Sequence, residues 1–134
     1  MNYGIVAKII GNLLLFEAIA LLPSIGISIY EDGIDSVAFF KTIFLTFTTG
    51  YVLIKLPIIK TKVRIKEAIT IVTIGWIVVS IFVALPFYLS NILPNFADAF
   101  FETVSGLTTT GSTVIDNVEM LPRGILFWRS LLHW

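Results

Sequence analysis

The stretch Phe100–Val114, FFETVSGLTTTGSTV, sets three threonines, a glycine, a serine and a further threonine in succession at residues 108–113 of an otherwise strongly apolar chain. The run is a poor helix interior, because hydroxyl side chains compete for backbone hydrogen bonds. It is also a poor lipid-facing strand, because nothing in hydrocarbon satisfies its polar groups. It therefore needs water or a protein-lined cavity. Taken alone, a Ser/Thr/Gly cluster after a helix reads most often as a solvated turn.

The surrounding chain separates these readings. Of 134 residues, 57% are hydrophobic and 13% charged, and the mean hydropathy is +0.95. That composition belongs to a membrane protein. The absence of cysteine excludes disulfides, thiolate nucleophiles and cysteine-ligated metal, and one histidine is too few for an imidazole metal cluster. No paired nucleophile and base, phosphate-binding loop or basic-aromatic array for nucleic acid is visible, so an enzyme is not expected.

Three stretches reach the roughly 20 apolar residues that cross a hydrocarbon core: about 5–29, 37–56 and 68–89. The first also offers a signal-peptide reading at EAIA, Glu17–Ala20, but the apolar run continues well beyond that point. The loop KLPIIKTKVRIKE, residues 55–67, carries Lys55, Lys60, Lys62, Arg64 and Lys66 against Glu67, whereas YEDGIDS, residues 30–36, carries only acids. The positive-inside rule then puts the basic loop and the N-terminus in the cytoplasm. The same loop also reads as a lipid-binding or partner-docking patch. Within the spans, Lys41 can snorkel, Glu17 needs protonation or a partner, and Pro23 and Pro86 are expected to kink or end their helices.

After the third span, Pro94, Asn95 and Asp98 mark a helix start, with an apolar stretch over 97–107 of about three turns. That is too short to cross, so a short helix followed by an irregular polar segment reads as a re-entrant loop. Such a loop can dehydrate a cation: carbonyls lining an axis replace the water shell of potassium, and small residues let the backbones approach. Gly111 permits the unusual dihedral this needs, the preceding helix aims its partially negative end at the ion path, and a Thr109 hydroxyl can add a ligand.

The chain resembles the Trk/Ktr/HKT superfamily of potassium transporters, most closely its bacterial Trk-type membrane subunit. The resemblance lies in ALPFYLS (84–90), FADAFFETVSGLTTTGSTV (96–114) and LPRGILFWRSLLHW (121–134), with GNLLLFEAIALLPSIGISIYEDG (11–33) and RIKEAITIVTIGW (64–76) matching the leading part. It implies an all-α membrane protein: two leading transmembrane helices in 1–60, then one helix–pore loop–helix repeat of a potassium-channel-like fold in 61–134. Within that repeat, a transmembrane helix falls at 68–89, a pore helix at 96–107, a selectivity filter at 108–113 and a shortened second helix at 122–134.

By that resemblance, Thr109, Thr110, Gly111 and Ser112 present the coordinating backbone, flanked by Thr108 and Thr113. Potassium is the transported ion, and no tightly bound cofactor or other metal is expected. The implied setting is multi-pass in a bacterial or archaeal inner membrane. Its implied partners are the remaining pore repeats, a second copy in a homodimer and a cytosolic nucleotide-binding regulatory subunit. Because only one repeat is present, and its last helix is short, a second expectation is a non-conducting truncated remnant or an assembly partner of a full-length subunit.

Five further charged groups near the loop are weighed for a role. Arg123 reads as an interfacial anchor or an influence on the pore mouth, and Arg129, two turns into the last helix, needs carbonyls or an acid as partner. Asp98 reads as a cap and Glu102 as a brace behind the filter, while both, with Asp116, can raise the local cation concentration. His133 and Trp134 read as ordinary helix residues.

Overall fold

The first apolar segment folds as two helices end to end, α1 (Tyr3–Ala20) and α2 (Leu22–Tyr30). The joint falls at Leu21 because Pro23, in the first turn of α2, has no N–H to continue the ladder of α1. The computed structural model describes residues 2–58 and 62–134, and Lys60 of the basic loop lies outside them. The order continues with α3 (Ser36–Lys55), α4 (Ile65–Leu89), α5 (Phe96–Leu107), a single 3₁₀ turn at Val118–Met120, and α6 (Arg123–His133).

Three helical stretches are long and apolar enough to cross a membrane: Tyr3–Tyr30, Ser36–Lys55 and Ile65–Leu89. Only 39%, 28% and 22% of their most apolar windows are buried inside the chain, so most of their greasy surface faces outward. Phe40, Phe44, Phe47, Ile69, Val72 and Ile77 are all exposed. Helices apolar all round and uncovered by protein are solvated by lipid. This is an all-helical membrane protein.

Helices α1 and α3 run antiparallel with their backbones in close approach. A Cβ on Gly11 would lie 2.7 Å from the Gly50 carbonyl oxygen, and one on Gly50 would lie 2.9 Å from that of Gly11. With no hydrophobic drive between helices in lipid, such small-residue contact supplies the dispersion energy that holds the pair. Helix α4 begins with Glu67 accepting from the Arg64 amide at 3.1 Å, the reciprocal half of a capping box. It runs on through Pro86, which does not end it. Near that proline, Trp128 Nε1 donates to the Val83 carbonyl at 3.2 Å, tying α6 to α4.

The main core, built on Leu21, Phe39, Val83, Phe87, Ala99 and Trp128, gathers α2 to α6 beneath the polar loop that follows α5. The start of α6 is seated on the turn between α2 and α3. A Cβ on Gly124 would come within 2.7 Å of Asp35 Oδ2 and 2.9 Å of Ser28 Cβ. Asp35 in turn accepts from Ser28 Oγ at 2.7 Å. Arg123 meets Glu31 at 3.2 Å, an exposed pair that contributes little to stability.

Candidate functional site

Helix α5 is started by Asn95, whose Oδ1 accepts from the Ala97 amide at 3.0 Å. Asp98 lies in the first turn and is not the cap. The helix ends in a Schellman arrangement: the Thr110 amide donates to the Ser105 carbonyl and the Thr109 amide to the Gly106 carbonyl, both at 2.9 Å. The residue that turns left-handed at such a stop is usually glycine. Here it is Thr109, with φ of 56°. A β-branched side chain in that region costs roughly 1–2 kcal/mol, and strain of this kind concentrates where a side chain has a function.

Gly111 is the second left-handed residue, with φ of 78°, and an added Cβ there would meet nothing within 4 Å. The glycine is required by its dihedral rather than by crowding. Thr108, Thr109, Thr110 and Gly111 are exposed, and among the described residues their carbonyls accept no hydrogen bond. Four consecutive unpaired carbonyls must be met by water or by a cation.

The loop is anchored on both sides of this stretch. Thr108 Oγ1 donates to the Val104 carbonyl at 2.7 Å and lies 2.8 Å from Thr110 Oγ1. Ser105 Oγ donates to the Ser112 carbonyl at 2.6 Å, so Ser112 is held against α5 while the four carbonyls before it stay free. Thr113 turns away from the others, its hydroxyl 2.9 and 3.0 Å from the two oxygens of Glu102.

Glu102 is the hub of this anchorage. It is fully buried, and besides Thr113 it accepts from the Val114 amide at 3.0 Å and from Arg129 Nε at 2.7 Å. The guanidinium side chain is 15% exposed against 0% for the carboxylate. A buried carboxylate is tolerable only with such a full set of donors, and the Arg129 contact is charge-assisted. Glu102 is thus a brace for the loop, and it is the partner that Arg129 requires.

Two contributors have no distinguishing mark in the sequence reading. Ser105 looks like any small helix residue, and its bond to a carbonyl seven positions on appears only with the loop folded. His133 packs on the end of α5, where a Cβ on Gly106 would lie 3.0 Å from its Cε1. Its Nδ1 is 2.9 Å from the Arg129 carbonyl. A glycine inside the helical pattern at 106 is the one available signal, since it marks close approach by another element. Glu17, singled out in the first span, is buried with both carboxylate oxygens unpartnered among the described residues.

The family model described as a cation transport protein, TrkH, matches residues 15–134. The chain belongs to the TrkH family. It is 39% identical over 139 aligned residues to the Trk system potassium uptake protein TrkH of Salmonella typhimurium, covering 100% of this chain and 28% of that protein. The TrkH protein of Escherichia coli K12 gives the same identity and coverage. The TrkG protein of the same strain is 33% identical over 97% of this chain and 27% of its own length. The crystal structure of the potassium transporter TrkH from Vibrio parahaemolyticus superposes with a TM-score of 0.88 at 31% identity, over 98% of this chain and 29% of that one. The chain therefore spans under a third of the length of these TrkH-family relatives.

Proposed function

We propose that this chain forms part of a Trk-type subunit for potassium uptake, and that the loop over 108–113 is one strand of its selectivity filter. The single observation that carries this reading is the run of four exposed, unpaired carbonyls at Thr108, Thr109, Thr110 and Gly111, between the end of α5 and the Glu102 brace. Relatives named as potassium uptake proteins support the choice of ion. Backbone carbonyls in a fixed array replace the hydration shell of potassium, and the negative end of α5 favours a cation beside them. No covalent chemistry is involved.

In this reading α1 to α3 make the two leading spans, with the N-terminus cytoplasmic, and residues 61–134 make the first pore repeat: α4 as its first helix, α5 as the pore helix and α6 entering its second. Further repeats supply the other filter strands, and the Ser112 carbonyl, with one lone pair taken by Ser105, keeps a second for the ion. A homodimer in the inner membrane and a cytosolic nucleotide-binding regulator complete the proposed system.

The test is growth at limiting potassium of an uptake-deficient bacterium that expresses the natural gene product carrying this chain. Rescue is expected. Failure to rescue at normal membrane abundance contradicts transport and favours an assembly role instead.

A further inference from the structure

At the end of the bundle that carries the basic loop, α1, the end of α3 and the start of α4 enclose a cleft of about 1210 Å³, larger than the ~300–1,000 Å³ typical of small-molecule sites. Its wall is apolar and includes Val6, Ile10, Leu53 and Val78, which belong to the second hydrophobic cluster. Its mouth carries Lys62 and Arg64, both exposed. Glu67 also lines it, but both carboxylate oxygens are engaged: Oε1 accepts from the Asn2 amide and Oε2 from the Arg64 amide, each at 3.1 Å. Among the described residues, two cations thus face one acid, each of whose oxygens already accepts from a backbone amide.

Water makes poor contacts with the apolar part of this lining, and an apolar filler packed against it gains dispersion contacts. At the end of three apolar spans the abundant apolar filler is a lipid chain. Cations at that level sit among headgroups, where they favour a phosphate that carries no compensating ammonium. We propose that this cleft is a binding site for an anionic phospholipid, with an acyl chain along the Val6–Ile10–Leu53–Val78 wall and the phosphate held between Lys62 and Arg64. Lipid binding here is independent of ion conduction by the loop after α5, and the charge pattern selects the lipid over a further protein helix, which would bring no obligatory anion to the mouth.

The test is native mass spectrometry of the natural gene product in mild detergent, supplemented with phosphatidylglycerol and phosphatidylcholine of matched acyl chains. Wild type is expected to retain phosphatidylglycerol preferentially. The double variant Lys62→Gln/Arg64→Gln, which alters only exposed side chains, is expected to lose that preference by about thirtyfold, the scale of two surface cations. Lys66→Gln, in the same basic segment but outside the cleft lining, is expected to keep it. Equal retention of the two lipids by wild type, or undiminished preference in the double variant, overturns the site. So does an equal loss in Lys66→Gln, which means general surface attraction, or no retained lipid at all, which means that protein fills the cleft.

Discussion

Arg129 Nε lies 2.7 Å from Glu102 Oε1, across the gap between α6 and α5, with the carboxylate fully buried and the loop hung from its other lone pairs. Removing one partner strands a charge in a water-poor site. Glu102→Leu is therefore expected to destabilise the protein by about 3–5 kcal/mol, whereas the double variant Glu102→Leu/Arg129→Leu loses less than the sum of Glu102→Leu and Arg129→Leu measured singly. Thermal unfolding in detergent checks this with a double-mutant cycle, and additive losses would contradict the pairing.

Thr109 occupies a left-handed position that glycine adopts without cost, so its strain is maintained by the loop around it. Thr109→Gly is expected to leave stability unchanged or raise it by up to about 1 kcal/mol, the dihedral relief being partly offset by unfolded-state entropy. Potassium-over-sodium discrimination is expected to fall in the same variant. A loss of stability with unchanged discrimination would mean that the threonine is retained for packing.

At Gly106 the added methyl of alanine would press on the His133 ring, at 3.0 Å from Cε1 and 3.1 Å from Nδ1. Helix propensity favours the alanine by about 1 kcal/mol, so the sign of the change depends on whether the ring yields. Gly106→Ala is expected to destabilise wild type, and to do so less in a His133→Ala background, where the Leu132 Cβ contact at 3.1 Å remains. Melting temperatures of the four proteins decide this, and an equal loss in both backgrounds would refute the His133 contact.

Gly11 and Gly26 are both helical glycines, but only the first faces backbone. A methyl at Gly11 meets the Gly50 carbonyl at 2.7 Å, whereas one at Gly26 meets nothing within 4 Å. Gly11→Ala is expected to cost about 1–3 kcal/mol by forcing α1 from α3, and Gly26→Ala to be neutral or stabilising by up to about 1 kcal/mol. Equal effects on unfolding would place the α1–α3 contact elsewhere.

Much of the fold is legible in the sequence because lipid imposes a simple rule: three long apolar runs become three helices long and apolar enough to cross a membrane. The short helix after Pro94 is legible too, since Asn95 and the apolar stretch behind it carry a start signal that needs no tertiary information. What happens at the prolines is less so. Pro23 separates two helices while Pro86 is absorbed by α4, and the residue type alone does not distinguish them.

At the loop, the need for an unusual dihedral at Gly111 is written in the residue type. The same dihedral at Thr109 is hidden, because a threonine gives no hint of it. The brace is half legible: two charges in apolar surroundings demand partners, but that Glu102 and Arg129 choose each other depends on a register between α5 and α6 that no local pattern encodes. Ser105 and His133 are invisible for the same reason, since their roles arise from contacts seven and 27 positions away.

The central claim is that the carbonyls around Gly111 select the ion. It is tested most directly by potassium and sodium uptake of the natural gene product and its Gly111→Ser variant, compared at equal membrane abundance. A serine there meets no steric obstacle, but it must adopt a φ of 78°, so the backbone around it relaxes. The account predicts potassium uptake with a clear loss of discrimination against sodium in the variant. Unchanged discrimination would contradict it.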